Sequence, residues 1–249
     1  MLENWPRPLV IGHRGASAQA PENTLASFEL AINHQADVIE FDVKLSSDNH
    51  VVIIHDSSVD RTTNGTGKVA NLSLVALRGL DAGSKFADRY AGEKIPTLNE
   101  VFERFGKQIF MNVELTNYST PFDGLVTKVV ELVRFYKLEN RVIFSSFLSK
   151  NLRVSQRLLP QVPCGLLVFS GWKGYVQRHF GWKKRFQALH SPFLDVDQAL
   201  VDNVHTAGKR IHVWTVNGED NLKHMLDLKV DGIFTDDPGM LRRVMEQGQ

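Results

Sequence analysis

Apolar runs of four to eight residues alternate with stretches of helical spacing from one end of the chain to the other. Leu9 to Gly12 is a short apolar run. Asn23 to His34 follows with Leu25, Phe28, Ala31 and Ile32 three and four apart, the spacing of an amphipathic helix. Val38–Leu45 and Val51–His55 are rich in β-formers and are separated by the polar turn Ser46-Ser47-Asp48-Asn49. Further strands are predicted at Ile109–Leu115, Val142–Phe147, Gly165–Phe169, Ala188–Leu194, Arg210–Val216 and Gly232–Thr235. Helices are predicted at Thr97–Phe105, Phe122–Leu138, Lys150–Leu159, Val201–Ala207 and Asn221–Leu228. Thr97 followed by Glu100 has the form of a capping box. Asp237-Pro238 reads as a helix cap with proline in the first turn.

Strand-then-helix order requires crossovers and therefore parallel strands. About eight such units in a chain of this length predict a closed (β/α)8 TIM-type barrel of the α/β class, spanning 1–249 as a single domain. A dinucleotide-binding sheet is excluded by the lack of a Gly-x-Gly-x-x-Gly turn after the first strand. The rhythm breaks only over 56–96, after the second strand region, where Gly65, Gly67, Gly79, Gly83 and Gly92 interrupt any regular element. Connections this long are usually lids or small inserted units, and we expect this one to overhang the active-site end of the barrel.

Composition narrows the function classes. Hydrophobic residues make up 43% and charged residues 23% of the 249, which suits a globular core. A net charge of +1 gives no electrostatic reason for a nucleic-acid partner. The single Cys164 excludes an intramolecular disulfide and is expected to be a buried, inert thiol. No apolar run reaches the ~20 residues of a membrane span, and Met1–Pro8 lacks a signal-peptide core. The expectation is a soluble, cytoplasmic protein.

Candidate chemistry collects where the predicted strands end. Glu40 and Asp42 share a strand face, as do Asn112 and Glu114, because side chains alternate. Carboxylates at one end of buried strands are costly unless paired, and a hard divalent cation is the usual partner. His13 and His55 add groups able to move protons near neutrality. A buried ion pair of Glu40 and Asp42 with Lys44, on the same face, is the competing structural reading. Trp214 divides between core packing and pocket lining. His212 is expected to be a core histidine, and His34, His50, His179, His190, His205 and His224 surface residues. Asp236 and Asp237 are assigned to the turn and cap, outside the site.

The strings Gly12-His13-Arg14-Gly15, Pro21-Glu22-Asn23-Thr24, Glu40-Phe41-Asp42-Val43 and His55-Asp56 with Asp60–Gly65 occur in this order. Pro96-Thr97-Leu98, Asn112-Val113-Glu114, Val213–Asn217 and Gly232–Asp236 follow. In these strings the chain resembles the glycerophosphodiester phosphodiesterase family over nearly its whole length. The resemblance implies a TIM-type barrel that hydrolyses glycerophosphodiesters to sn-glycerol 3-phosphate and an alcohol, using one divalent cation, Mg²⁺ or Ca²⁺. It implies metal ligation by Glu40, Asp42 and Glu114, acid–base catalysis by His13 and His55, and phosphate contact by Arg14. The substrate would be a small molecule. Members often carry lysine two residues after the third carboxylate, where this chain has Thr116. Thr116 cannot replace that charge, so Lys44 becomes the candidate phosphate cation and Trp214 a candidate substrate contact.

Residues 171–187 hold Lys173, Arg178, Lys183, Lys184 and Arg185, no acid, and Trp172, Tyr175, Phe180, Trp182 and Phe186. A barrel helix with its aromatics inward and its cations solvated is the plainer expectation. The other is peripheral membrane contact, which would favour lysophospholipase-D-like action on lipid phosphodiesters. A non-catalytic phosphoester-binding protein is the third reading; it would be favoured by loss of a histidine or carboxylate from the set, and none is lost.

Overall fold

The computed structural model describes residues 2, 5–179 and 182–247. Phe180 and parts of the Met1–Pro8 stretch lie outside the described residues. The barrel strands are β1 (Leu9–Gly12), β2 (Val38–Leu45), β4 (Phe110–Leu115), β5 (Val142–Ser146), β6 (Cys164–Leu167), β7 (Ala188–Pro192), β8 (Arg210–Trp214) and β9 (Gly232–Thr235). All pair in parallel, and the pairing of β1 with both β2 and β9 closes the ring. This is the predicted (β/α)8 barrel. The ninth strand, β3 (Val51–Ile53), is not a barrel stave: it folds back antiparallel on β2, with Lys44 opposite Val52. Its short polar turn allows a hairpin, whereas a parallel neighbour needs a long crossover.

The helices of the barrel follow the predicted order: α1 (Leu25–Asn33), α3 (Leu98–Phe105), α4 (Leu125–Phe135), α5 (Ser149–Leu158), α6 (Gly171–His179), α7 (Gln198–Thr206), α8 (Glu219–Asp227) and α9 (Pro238–Gln247), while a short helix not expected from the sequence, α2 (Leu74–Gly79), forms within 56–96. The Thr97–Glu100 capping box is formed, and the Asp237 carboxylate accepts the Met240 amide proton as expected of an N-cap. α4 is shorter than its apolar pattern. Asp123 accepts the Leu125 amide and Gly124 takes a left-handed φ of 83°, so the chain before it turns away; Lys137 at φ 58° ends the other side.

Strand faces separate two cores. Outward residues such as Phe41, Val113 and Phe144 pack against the helices with Phe28, Val129 and Leu152. Inside the ring, Leu9, Ile11, Val38, Ile143, Ala188 and Phe234 form a second cluster. Trp5 stacks on Phe110 at 4.2 Å and covers the end where the strands begin. Residues 56–96 carry a third apolar cluster, in which Val59, Val69, Leu77 and Ile95 pack on Val52 and Ile54 beside β3.

Three sequence expectations need correction or detail. His190, expected at the surface, is fully buried inside the barrel, where its Nε2 lies 3.1 Å from Nδ1 of the equally buried His212. It occupies an inward position on β7 opposite His212 on β8, so strand register, which local polarity does not reveal, decides its burial. In 171–187, Trp182 and Phe186 point inward, but Trp172 and Tyr175 are exposed because helix α6 turns that face outward. Arg178 is not solvated: it is buried and donates to the Phe169 carbonyl and Asp195. Cys164 is buried, as expected, and burial pushes its thiol up to about 12.

Candidate active site

The β2 and β4 register places Glu40 beside Asn112 and Asp42 beside Glu114. Alternation turns all four into the ring near the ends of the strands, where barrel active sites form. Oxygens of Glu40, Asp42 and Glu114 all lie within 4.8 Å of one another. Glu40 and Asp42 are each only 1% exposed. Burial first, then the charges of Asp42 and Glu114, push the Glu40 carboxyl well above the ordinary range. Burial and Asp42 likewise raise Glu114. Such a cluster asks for a cation. Glu40 Oε1 is buried without a hydrogen-bond partner among the described residues, which fits an oxygen reserved for a hard ion. One oxygen of each carboxylate is held. Asn23 Nδ2 donates to Asp42 Oδ2 at 2.9 Å, the Arg14 amide to Glu40 Oε2 at 2.8 Å, and the Tyr118 hydroxyl to Glu114 Oε1 at 2.7 Å.

A cavity of about 130 Å³ adjoins this cluster and is lined by His13, Arg14, Glu40, His55, Glu114, Phe147, Leu167, Trp214, Thr215 and Phe234. His13 and His55 come from the loops after β1 and β3, and each is held by an aspartate. His13 Nδ1 is 2.7 Å from Asp236 Oδ1, and His55 Nδ1 is 2.7 Å from Asp56 Oδ1. An ionised carboxylate only accepts, so each Nδ1 carries its proton and each Nε2 is the atom left for chemistry. Against the effect of burial, His13, Asn217 and Ser17 hold Asp236 down to about 2. Arg61, joined by His55 and again opposed by burial, holds Asp56 at about 2. The Arg61 guanidinium also donates to both oxygens of Glu22, which accepts from Arg14 Nη1 at 2.9 Å. An ionic chain therefore runs from His55 through Asp56, Arg61 and Glu22 to Arg14.

Of the sequence-predicted residues, His13, His55, Glu40, Glu114, Arg14 and Trp214 line one cavity, and Asp42 stands directly behind. Arg14, at a left-handed φ of 56°, braces three carboxylates, with its Nε 3.4 Å from Asp42. The Trp214 indole nitrogen is buried without a hydrogen-bond partner among the described residues. Lys44 is not among the lining residues. Its ammonium donates to the Thr116 carbonyl at 2.6 Å and hydroxyl at 3.1 Å, so the two residues answer each other across β2 and β4. Burial lowers its pKa while Asp42 and Glu114 oppose that. Asp236, read from the sequence as part of a turn, belongs to the site through His13. Glu22, Asp56, Arg61, Asn217 and Asp236 all fall inside the sequence strings quoted above, and that was the signal available for them.

Residues 13–240 match the model of the glycerophosphoryl diester phosphodiesterase family. The chain is 39% identical over 247 residues to a glycerophosphodiester phosphodiesterase of Caldanaerobacter subterraneus, covering 97% of this chain and 99% of that one. It is 32% identical to one from Bacillus subtilis, covering 96% and 86% of the two chains. Among solved structures, an Oleispira antarctica phosphodiesterase in complex with the product sn-glycerol-3-phosphate superposes with a TM-score of 0.83 at 32% identity, over 96% of this chain and 97% of that one. The glycerophosphodiester phosphodiesterase of Thermotoga maritima gives 0.75 at 27% identity, over 95% and 98%. With the barrel, the carboxylate cluster and the matched strings in agreement, the chain belongs to the glycerophosphoryl diester phosphodiesterase family.

Proposed function

We propose that this protein hydrolyses glycerophosphodiesters to sn-glycerol 3-phosphate and an alcohol, with Glu40, Asp42 and Glu114 holding one divalent cation and His13 and His55 acting as the acid–base pair. The observation that carries this reading is the placing of two aspartate-held histidines on the walls of the same small cavity as the carboxylate cluster. Three carboxylates with neither sulfur nor imidazole favour Mg²⁺ or Ca²⁺ over Zn²⁺. Such an ion, when bound, would neutralise phosphate oxygens and so lower the barrier to attack at phosphorus.

The protein's own groups do the rest. A glycerol diester carries a 2-hydroxyl close to its phosphorus, and using it as nucleophile draws on an effective molarity worth up to ~7–11 kcal/mol. One histidine takes the proton of that hydroxyl at Nε2. The other, protonated at Nε2, gives its proton to the departing alcohol oxygen. The bond from phosphorus to the alcohol breaks as the bond to the 2-oxygen forms, leaving a cyclic glycerol phosphate. Water then opens the ring while the two histidines exchange roles, so each ends in its starting state. Each histidine contributes a factor of ~10²–10⁴. Arg14 and the Trp214 indole N–H face the phosphate, while Lys44, tied to Thr116, adds positive charge behind the cluster without reaching the substrate. A diester analogue lacking only the glycerol 2-hydroxyl tests the route. The expected result is loss of turnover with binding retained; hydrolysis at near-normal kcat would establish direct attack by water instead.

A further inference from the structure

Residues 56–96 grip one loop of the barrel at two points. The Tyr90 hydroxyl donates to the Gln19 carbonyl at 2.9 Å, joined there by Arg89 Nη2 at 3.2 Å. Arg61 holds the Glu22 carboxylate, with Nη1 at 2.7 Å from one oxygen and Nη2 at 2.8 Å from the other. Gln19 and Glu22 lie between β1 and α1, in the loop that also carries His13, Arg14 and Asn23. The inserted segment is thus fastened to the loop that brings three site residues into place.

The other edge of the same guanidinium faces Asp56. Arg61 Nε donates to Asp56 Oδ2 at 2.6 Å and Nη2 to Oδ1 at 3.2 Å. One planar fork therefore engages both oxygens of two carboxylates, and these lead to different parts of the site. Asp56 accepts from His55 Nδ1 at 2.7 Å, and Glu22 accepts from Arg14 Nη1 at 2.9 Å. Glu22 first, then Asp56, raise Arg61 above its ordinary value. Against the effect of burial, Arg61 and Arg14 keep Glu22 below the usual carboxylate range. A single ion pair at a side chain 48% exposed contributes little to stability. Two bidentate pairs on one rigid group do something else: they fix geometry.

Arg61 is itself held before it holds its partners. It stands in a turn between Val59 and Thr63, both fully buried. The Thr63 amide and hydroxyl donate to the Val59 carbonyl at 3.1 and 2.7 Å, and Val59 belongs to the apolar cluster of the insertion. That small core presents the fork already placed, as precise orientation of reacting groups requires. The side chain walls a separate cavity of about 220 Å³ with Ser17, Glu22, Thr62, Lys85 and Phe86, and it does not line the catalytic one. Its influence on the reaction has to pass through His55 and Arg14.

We propose that Arg61 is a positioning residue: it fixes the His55 imidazole through Asp56 and the Arg14 guanidinium through Glu22, so that a proton-moving group and the phosphate contact keep one relative placement. The inference rests on the phosphodiesterase reading above and deepens it. His13 lies outside this linkage, because its Asp236 is held by Ser17 and Asn217. Loss of Arg61 therefore disturbs one histidine and spares the other.

Steady-state kinetics on glycerophosphocholine compares wild type with Arg61→Ala, Arg61→Lys, His55→Ala, and His55→Ala combined with Arg61→Ala. The proposal expects Arg61→Ala to lower kcat by ~10–100-fold and to raise KM severalfold, with a thermal midpoint within ~4 °C of wild type. Arg61→Lys should fall nearly as far, because one ammonium cannot serve both carboxylates as a fork. In the His55→Ala background, removing Arg61 should cost little further kcat, since the group it acts through is already gone. The ¹⁵N NMR signals of the histidine rings, recorded in EDTA, need no turnover. In Arg61→Ala, His55 should pass from the Nδ1-protonated tautomer to a mixture while His13 stays as it is. Wild-type kcat in Arg61→Ala or Arg61→Lys would overturn the proposal, as would losses that multiply in the double variant or unchanged His55 signals. Inactivity of the wild-type protein toward the diester would contradict the phosphodiesterase reading instead, and the His55 signals then decide the positioning role alone.

Discussion

Asp236 Oδ1 lies 2.7 Å from His13 Nδ1, and the same oxygen accepts from the Ser17 hydroxyl at 2.9 Å while Oδ2 accepts from Asn217 at 2.6 Å. The carboxylate is thus fixed from several sides before it fixes the imidazole. Its partners apart from His13 are neutral, so its charge is available to an imidazolium at His13. Asp56, in contrast, shares its charge between His55 and the Arg61 fork, whose Nε donates to Asp56 Oδ2 at 2.6 Å.

Replacing Asp236 with Asn keeps the size of the side chain but removes the charge and lets the amide donate toward Nδ1, which favours the wrong tautomer. Loss of the orienting carboxylate in a His–Asp pair lowers turnover by ~10²-fold or more. Steady-state kinetics of Asp236→Asn is expected to show that loss in kcat with little change in KM. Wild-type kcat would place Asp236 outside the catalytic unit.

The two histidines are expected to act on one reaction coordinate. His13→Ala and His55→Ala should each lower kcat by ~10²-fold or more, and the double variant should fall well short of the product of the two losses. Calorimetric titration with Mg²⁺ or Ca²⁺ should give nearly wild-type affinity for both. A variant that no longer binds the ion would make that histidine a ligand.

Most of the architecture and much of the site are legible in the sequence, for identifiable reasons. Apolar runs and helical spacing give the barrel, because every stave must be buried on both faces and every helix on one. Glu40, Asp42 and Glu114 are found because alternation alone puts their side chains inside. Asp236 is missed because its two neighbours, Thr235 and Asp237, already satisfy the grammar of a strand end and a helix cap, and its pairing spans the 223 positions back to His13. His190 is misplaced for a related reason: it lies in the predicted strand Ala188–Leu194, but the local sequence does not give the register that puts it opposite His212 inside the ring. The hairpin strand β3 is indistinguishable from a stave by pattern alone, and only the length of its turn separates the two.

The buried histidines carry a stability consequence. Burial holds His190 at about 3, and burial, with the cations Arg210 and Arg7 nearby, holds His212 well below its ordinary value. Both remain neutral in the folded protein, whereas in the unfolded chain they bind protons below pH ~6.5. The unfolded state then holds more protons, so stability falls as pH drops below about 6.5, by up to ~1.4 kcal/mol per pH unit for each histidine, until the folded-state values are reached. Urea unfolding at pH 7.5 and pH 5.5 should show a smaller pH-dependent loss for His212→Gln than for wild type. Equal losses would mean that the pair is not what makes the barrel acid-sensitive.

The central claim is that the buried carboxylates hold a divalent cation on which hydrolysis of a glycerophosphodiester depends. The direct measurement is release of sn-glycerol 3-phosphate from glycerophosphocholine by the purified protein, before and after EDTA treatment and again after adding Mg²⁺ or Ca²⁺. The account predicts activity that vanishes on chelation and returns with one of these ions. Full activity in the chelated protein would contradict it.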